Sequence, residues 1–298
     1  MFIKYLSFCV IYSQRVLRAF EKGSFRIWGL MVIEMKRYSF IGAGNMAYAI
    51  ISGMGKDKDI TIYDKLPSQY EKFGDGVKTA ASAVEAVKCA DYIVLAVKPQ
   101  NFAEITAEIG SSGISLDGKT FVSIAAGVSC ASICRGLGRD AAVIRTMPNT
   151  PALIGKGVTA ISKNNLVTEE AYNEIFEMFS SVGKAFSLPE DKMNAVIAAT
   201  SSAPAYIYYI IDCIYREASA QGLGAPEMLS MICEMVKGSA EMLERSDKTP
   251  AELVKMVTSP KGTTECAMNV FYKGGLDEMI SEAMKACTKR AEELSAEL

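Results

Sequence analysis

The sequence predicts an α/β chain in two parts: a mostly parallel sheet covered by helices, followed by an all-helical domain. Three observations carry this. From Lys36 onward short β-branched runs alternate with helical stretches, and strands in βαβαβ order need crossovers, which make them parallel and buried on both faces. A glycine-rich turn joins the first strand to the first helix. Beyond about Pro189 the strands stop, and apolar residues recur only at helical spacing.

Five short apolar runs bounded by turn signals read as buried strands: Tyr38–Ile41, Ile60–Tyr63, Tyr92–Val97, Thr120–Ile124 and Ala142–Arg145. Helices are expected between them near Met46–Ser52, Ala83–Lys88, Phe102–Ile109 and Ser129–Leu137. Two more strands, Gly157–Ile161 and Lys184–Leu188, flank a helix that starts at Glu169 behind the cap Thr168. Lys192–Gln221 is almost continuously helical. Leu229, Ile232, Val236, Ala240 and Leu243, and later Ile280, Ala283, Met284, Cys287, Ala291 and Leu294, mark two further helix faces. Ala203–Ile214 is apolar nearly all round, the pattern of a helix buried on every side. So small a helical domain implies that a second subunit supplies part of the cover.

Composition narrows the chemistry. The 298 residues carry 32 basic and 34 acidic side chains, a formal net charge of -2, and no histidine. No basic surface is available for phosphate backbones, so a nucleic-acid partner is disfavoured. Without histidine there is no Ser-His-Asp or Cys-His pair, no imidazole acid and no histidine-bound metal, and no metal site is expected. The eight cysteines stand singly, as reduced thiols in a cytoplasmic protein do. No stretch approaches the ~20 apolar residues of a membrane span. Residues 1–34 are aromatic and basic, with Lys4, Arg15, Arg18, Lys22 and Arg26 against Glu21 and Glu34. They read as an extension outside the fold, with Met35 opening the first domain.

The turn is Ile41-Gly42-Ala43-Gly44-Asn45-Met46-Ala47, a GxGxxG/A pattern between strand and helix. Gly42 permits the turn, Gly44 lets a pyrophosphate approach the helix N-terminus, and Ala47 allows close helix packing. Nucleotide binding follows, with Ala43, Asn45 and Met46 in the same loop. Asp64, 20 residues beyond Gly44, could accept the ribose hydroxyls of NAD, and Lys65 beside it could instead pair with the extra phosphate of NADP. NADH and NADPH both remain open.

Three blocks end strands: Leu95-Ala96-Val97-Lys98-Pro99-Gln100, Ser123-Ile124-Ala125-Ala126-Gly127-Val128, and Arg145-Thr146-Met147-Pro148-Asn149-Thr150-Pro151. Carboxyl ends of strands are where open α/β sheets hold ligands. A fourth block, Ser259-Pro260-Lys261-Gly262-Thr263-Thr264, reads as a helix start, with Ser259 as N-cap and Pro260 at N1. Its free amides and the hydroxyls of Thr263 and Thr264 would cradle a carboxylate. With the glycine turn, these blocks resemble pyrroline-5-carboxylate reductase from about Met35 to the C-terminus.

The resemblance implies a Rossmann-type dinucleotide-binding domain over 35–189, a helical substrate and dimerisation domain over 190–298, and a homodimer or an assembly of dimers. It implies reduction of a cyclic imine carboxylate to L-proline by NADPH or NADH. Ala96, Val97, Lys98, Pro99, Ala125, Ala126 and Gly127 would line the cofactor pocket. Met147, Pro148 and Asn149 would face the reacting centre, and Ser259, Gly262, Thr263 and Thr264 would hold the substrate, with Thr264 as the catalytic contact. A protonated imine activates itself, so the missing histidine is compatible with the reaction. Three positions depart from the family pattern: Ala83 for a cofactor-contacting asparagine, Ala203 in Thr200-Ser201-Ser202-Ala203-Pro204-Ala205-Tyr206, and Lys261 for the first glycine of the carboxylate block. They motivate one alternative, a non-catalytic dinucleotide-binding regulatory relative. A second alternative, an imine or β-hydroxyacid dehydrogenase, would want a lysine inside Met193–Tyr215, and none is there.

Overall fold

The computed structural model describes residues 35–296, and from Lys36 onward they form one compact unit. The extension expected at 1–34 lies outside the described residues. The described strands make one sheet in the order β3-β2-β1-β4-β5-β6-β7-β8. Strands β1 (Arg37–Ile41), β2 (Asp59–Tyr63), β3 (Lys78–Thr79), β4 (Tyr92–Leu95), β5 (Thr120–Ser123) and β6 (Ala142–Met147) run parallel. Then β7 (Gly157–Lys163) turns back antiparallel to β6, and β8 (Gly183–Ser187) runs parallel to β7. The first six follow the 3-2-1-4-5-6 order of dinucleotide-binding sheets, and the order reverses between β1 and β4.

The period-2 alternation of strand side chains builds two cores. On one face Ile41, Ile93, Leu95, Phe121 and Val143 pack under α2 (Ala83–Lys88), α3 (Phe102–Ser111) and α4 (Cys130–Leu137). On the other, Phe40, Ile62, Val94, Val122 and Ile144 pack under α1 (Asn45–Met54) and α5 (Glu169–Ser180). Burial on both faces is why these strands read as unbroken apolar runs. Ala83 is fully buried in the first core, so this position does not line the cavity described below. The strand expected to reach Val97 stops at Leu95, and the strand expected to end at Arg145 continues to Met147 because β7 pairs with it.

After a short 3₁₀ turn at Glu190–Lys192 the chain is helical: α6 (Met193–Val196), a π-helical stretch Ile197–Ser201, α7 (Ala203–Ala218), α8 (Pro226–Arg245), α9 (Pro250–Val257), α10 (Thr263–Lys273) and α11 (Leu276–Ala296). Helix α11 returns onto α6 and the π-helical stretch, α7 packs on α8, and α10 on α11. The apolar helix expected to be buried on every side is not covered by its own chain. Helix α7 has no buried residue, and Tyr208 and Tyr209 are 59% and 67% exposed. Too few elements pack around α7 to enclose it. No helix among the described residues is long and apolar enough to cross a membrane.

Candidate functional site

The crevice at the β1/β4 reversal is a cavity of about 510 Å³. Gly42 and Gly44 form its floor, with Asp64 and Lys65 from the end of β2 on one side and Ala96, Val97 and Lys98 from the end of β4 on the other. Gly42 has φ of 101°, and a Cβ there would lie 2.6 Å from the carbonyl carbon and oxygen of Ala96. Only glycine fits where β1 leaves the sheet so close to β4. Gly44 differs: a Cβ would meet nothing within 4 Å, so its open side faces ligand space. It is the N-cap of α1, whose first turn has neither a side-chain cap nor an acid. The first amides of α1 are therefore left for an anion. An uncapped helix start above a bare glycine, at the sheet's switch point, fits a dinucleotide pyrophosphate.

The other residues of the turn are placed differently. Ala43 and Ala47 are buried and hold α1 against the sheet, Met46 is half-buried, and Asn45 is exposed. The Ala43 amide donates to Asp64 Oδ2 at 2.7 Å, and Asp64 Oδ1 accepts from the Leu66 amide at 2.9 Å. The Tyr70 hydroxyl accepts from the Asp64 amide (2.9 Å) and donates to its carbonyl (2.8 Å). Asp64 is thus fixed at the strand end, with part of its acceptor capacity still free. Lys65 donates to Glu104 of α3 at 2.7 Å, which raises its pKa above the usual lysine value. Pro99 opens a 3₁₀ turn, Pro99–Asn101, capped by Lys98, and stands outside the cavity lining. Tyr70 and Gln69 lie in the 3₁₀ turn Pro67–Lys72, which no sequence pattern signalled.

The remaining expected residues do not join this cavity within the described chain. Ala125 and Gly127 are buried and Ala126 half-buried. Helix α11 covers Gly127: a Cβ there would sit 2.8 Å from the Ala291 carbonyl, and the Ser295 hydroxyl donates to the Gly127 carbonyl. Met147 ends β6 and Pro148 follows it, half-buried and buried respectively. The Asn149 amide is engaged inside the chain: its Nδ2 donates to the Thr200 carbonyl (3.1 Å) and its Oδ1 accepts from the Val158 amide (2.8 Å). Asn149 therefore ties the end of β6 to β7 and to the π-helical stretch.

The carboxylate block needs a correction. Ser259 is not an N-cap and Pro260 is not at N1. The segment makes a turn closed by the Gly262 amide on the Ser259 carbonyl (3.0 Å), and α10 begins at Thr263 with Gly262 as N-cap. The cause is Lys261, which has φ of 60° and whose amide donates to Glu265 Oε2 at 2.7 Å. A left-handed residue cannot continue a right-handed helix. The uncapped helix start survives three residues later, at the amides of Thr263 and Thr264.

A second group went unread in the sequence. Arg145 is only 4% exposed and donates to Asn194 Oδ1 at 2.6 Å, with Glu190 Oε1 3.9 Å away. Burial lowers its pKa, and Glu190 opposes that shift. The same Glu190 oxygen accepts from the Cys130 amide at the start of α4 (2.7 Å). Burial, with the Glu190 charge, pushes the Cys130 thiol up to about 12, so it stays neutral. These contacts span 45 to 60 residues of sequence, beyond the reach of any local pattern.

Comparison with known proteins agrees with this architecture. Residues 190–294 match the family described as "Pyrroline-5-carboxylate reductase dimerisation", and residues 37–127 match "NADP oxidoreductase coenzyme F420-dependent". The pyrroline-5-carboxylate reductase of Escherichia coli is 36% identical over 269 residues, covering 87% of this chain and 98% of that one. A solved pyrroline-5-carboxylate reductase from Coxiella burnetii is 31% identical, with a TM-score of 0.75, covering 88% of this chain and 99% of its own. The Plasmodium falciparum enzyme, solved with NADP bound, shares the fold at 24% identity and a TM-score of 0.79, covering 87% of this chain and 98% of its own. The chain belongs to the pyrroline-5-carboxylate reductase family.

Proposed function

We propose that this chain reduces 1-pyrroline-5-carboxylate to L-proline, the last step of proline biosynthesis, with NADPH or NADH as reductant. The observation that carries the reading is the near full-length match to the E. coli reductase, on a chain whose glycine turn opens onto a cavity at the sheet's switch point. When bound, the reduced nicotinamide supplies the hydride.

The residues of this chain then have separable tasks. Gly44 and the first amides of α1 receive the pyrophosphate, and Ala96, Val97 and Lys98 form the facing wall. The amides of Thr263 and Thr264 hold the substrate carboxylate, and the Thr264 hydroxyl contacts the carboxylate or the ring nitrogen. Met147 and Pro148 present apolar surface that keeps water from the ring. The imine nitrogen arrives protonated, hydride adds to its carbon, and the proton stays on nitrogen. No protein acid is needed, in keeping with a chain that lacks histidine.

Among the described residues, none of Ser259 to Thr264 lines the β1/β4 cavity. The site is therefore completed in a homodimer, with the start of α10 coming from a second copy, and the uncovered α7 supports that arrangement. An assembly of dimers would use the surfaces left over by this contact. Seven free thiols among the described residues suit a reducing cytoplasm.

The test follows reduced-nicotinamide absorbance with pyrroline-5-carboxylate. Turnover is expected, and Thr264→Ala should cut kcat/KM at least about tenfold more than it weakens cofactor binding. Equal loss of both would remove Thr264 from the substrate site. Cofactor binding without turnover would favour the regulatory relative.

A further inference from the structure

We propose that the cofactor site is built to prefer NADH over NADPH, and that Glu104 enforces the preference by occupying Lys65. The inference rests on the reading above only in taking a dinucleotide as the occupant of the β1/β4 cavity.

In a sheet of this order the adenosine ribose lies at the carboxyl end of β2. The side chains there are Asp64, Lys65, Leu66 and Gln69, all lining the cavity. NADP differs from NAD by one phosphate on this ribose, a group of about −1.5 to −2 charge. What decides between them is the charge the site presents and whether that charge can move.

Asp64 cannot move without undoing its surroundings. Its two carboxylate oxygens accept from Ala43 and Leu66, and its backbone amide and carbonyl are both held by the Tyr70 hydroxyl. Swinging the carboxylate aside to admit a phosphate would release the Ala43 amide inside the glycine turn. Each oxygen keeps unused acceptor capacity, which suits the two hydroxyls of an unmodified ribose. A fixed anion here favours a diol and repels a phosphate.

Lys65 is the cation at this strand end that could reverse the balance. Its ammonium is instead bound to Glu104 at 2.7 Å, and Glu108 adds a second acid on the same helix close enough to act on it. Around the β2 end, Asp64 with Glu104 and Glu108 of α3 faces Lys65 and Lys72, and the Lys72 ammonium is held by Gln69 Oε1 at 2.7 Å. Lys98, the other cation in the cavity lining, belongs to a different strand end, that of β4, and precedes the Pro99–Asn101 turn.

Dissociation constants measured by nicotinamide fluorescence test this without turnover. The wild-type protein should bind NADH at least about tenfold more tightly than NADPH. Glu104 is exposed, so Glu104→Gln should fold normally. It should tighten NADPH about fivefold while moving NADH less than about twofold, and adding Lys65→Ala should cancel the gain. Equal or tighter NADPH binding by the wild type would overturn the inference. So would a Glu104→Gln effect equal for both cofactors. Turnover that runs better on NADPH sinks this inference and leaves the reductase reading standing. NADH-selective binding without turnover does the reverse.

Discussion

Gly42 and Gly44 occupy neighbouring places in one motif, yet the structure separates their duties. Gly42 answers to the protein. Its backbone is in the left-handed half of conformational space and a side chain would collide with Ala96. That strand end cannot withdraw, because the Ala96 amide is bonded to the Ile41 carbonyl at 2.7 Å. Gly42→Ala should therefore cost about 3 kcal/mol or more, from backbone strain and overpacking together, and lower Tm by roughly 10 °C. Gly44 answers to the ligand. An alanine methyl there meets no protein atom, so stability should change by no more than about 0.5 kcal/mol. The methyl would stand where a pyrophosphate must come close to the backbone, so NADH binding should weaken at least about tenfold. Thermal unfolding and fluorescence titration of the two variants check both halves. If Gly44→Ala bound like wild type, the open side of Gly44 would not face the cofactor.

At the scale of elements, the sequence was legible wherever the signal was local. Helix α5 starts where Thr168 placed it: the threonine hydroxyl accepts from the Ala171 amide at 3.1 Å, and Glu169 and Glu170 sit in the first turn. The parallel strands were legible because burial on both faces makes them continuously apolar. Ser259 misled because its cap signature is local, whereas the Lys261 conformation depends on Glu265 holding the lysine amide. Gly127 of the AAG block and Asn149 pack on Ala291 and Thr200 respectively, which lie far along the chain, so these contacts have no local signature. Glu190 is the extreme case, joining β6, α4 and the entry to the helical part through contacts with no sequence signature. Glu190→Ala should destabilise by about 2 kcal/mol, because it strips the Cys130 amide of its acceptor and leaves buried Arg145 short of a counter-charge. The partial exposure of Glu190 keeps the figure at the lower end of the buried-pair range. Glu190→Gln retains an acceptor and should recover about half, as judged by urea midpoints. Equal losses in both variants would show that the hydrogen bond to α4 contributes nothing.

At the scale of the whole molecule, the chain encloses its sheet but not its helices. Both faces of the central strands are packed, whereas Ile232 and Ala291 are the buried residues among helices α7 to α11. Ile207, Tyr208, Tyr209 and Ile210 together present an apolar surface on α7 that a lone soluble chain rarely displays. The helical periodicity was legible, but the sequence could not say which chain covers that surface. Tyr209→Asp discriminates. Tyr209 is exposed in the single chain, so the fold should tolerate the change, whereas a carboxylate inside a dimer interface would have to be desolvated without a partner. The variant should run as a monomer in light scattering and keep NADH affinity within about threefold, because the cavity lies in the sheet half. Its turnover should fall by about a hundredfold or more, because the start of α10 no longer faces that cavity from a second copy. A monomer with full turnover would mean that one chain brings Thr264 to its own cofactor. A dimer with full turnover would place the interface elsewhere than α7. Loss of turnover with cofactor affinity intact is the result that a site divided between two chains requires.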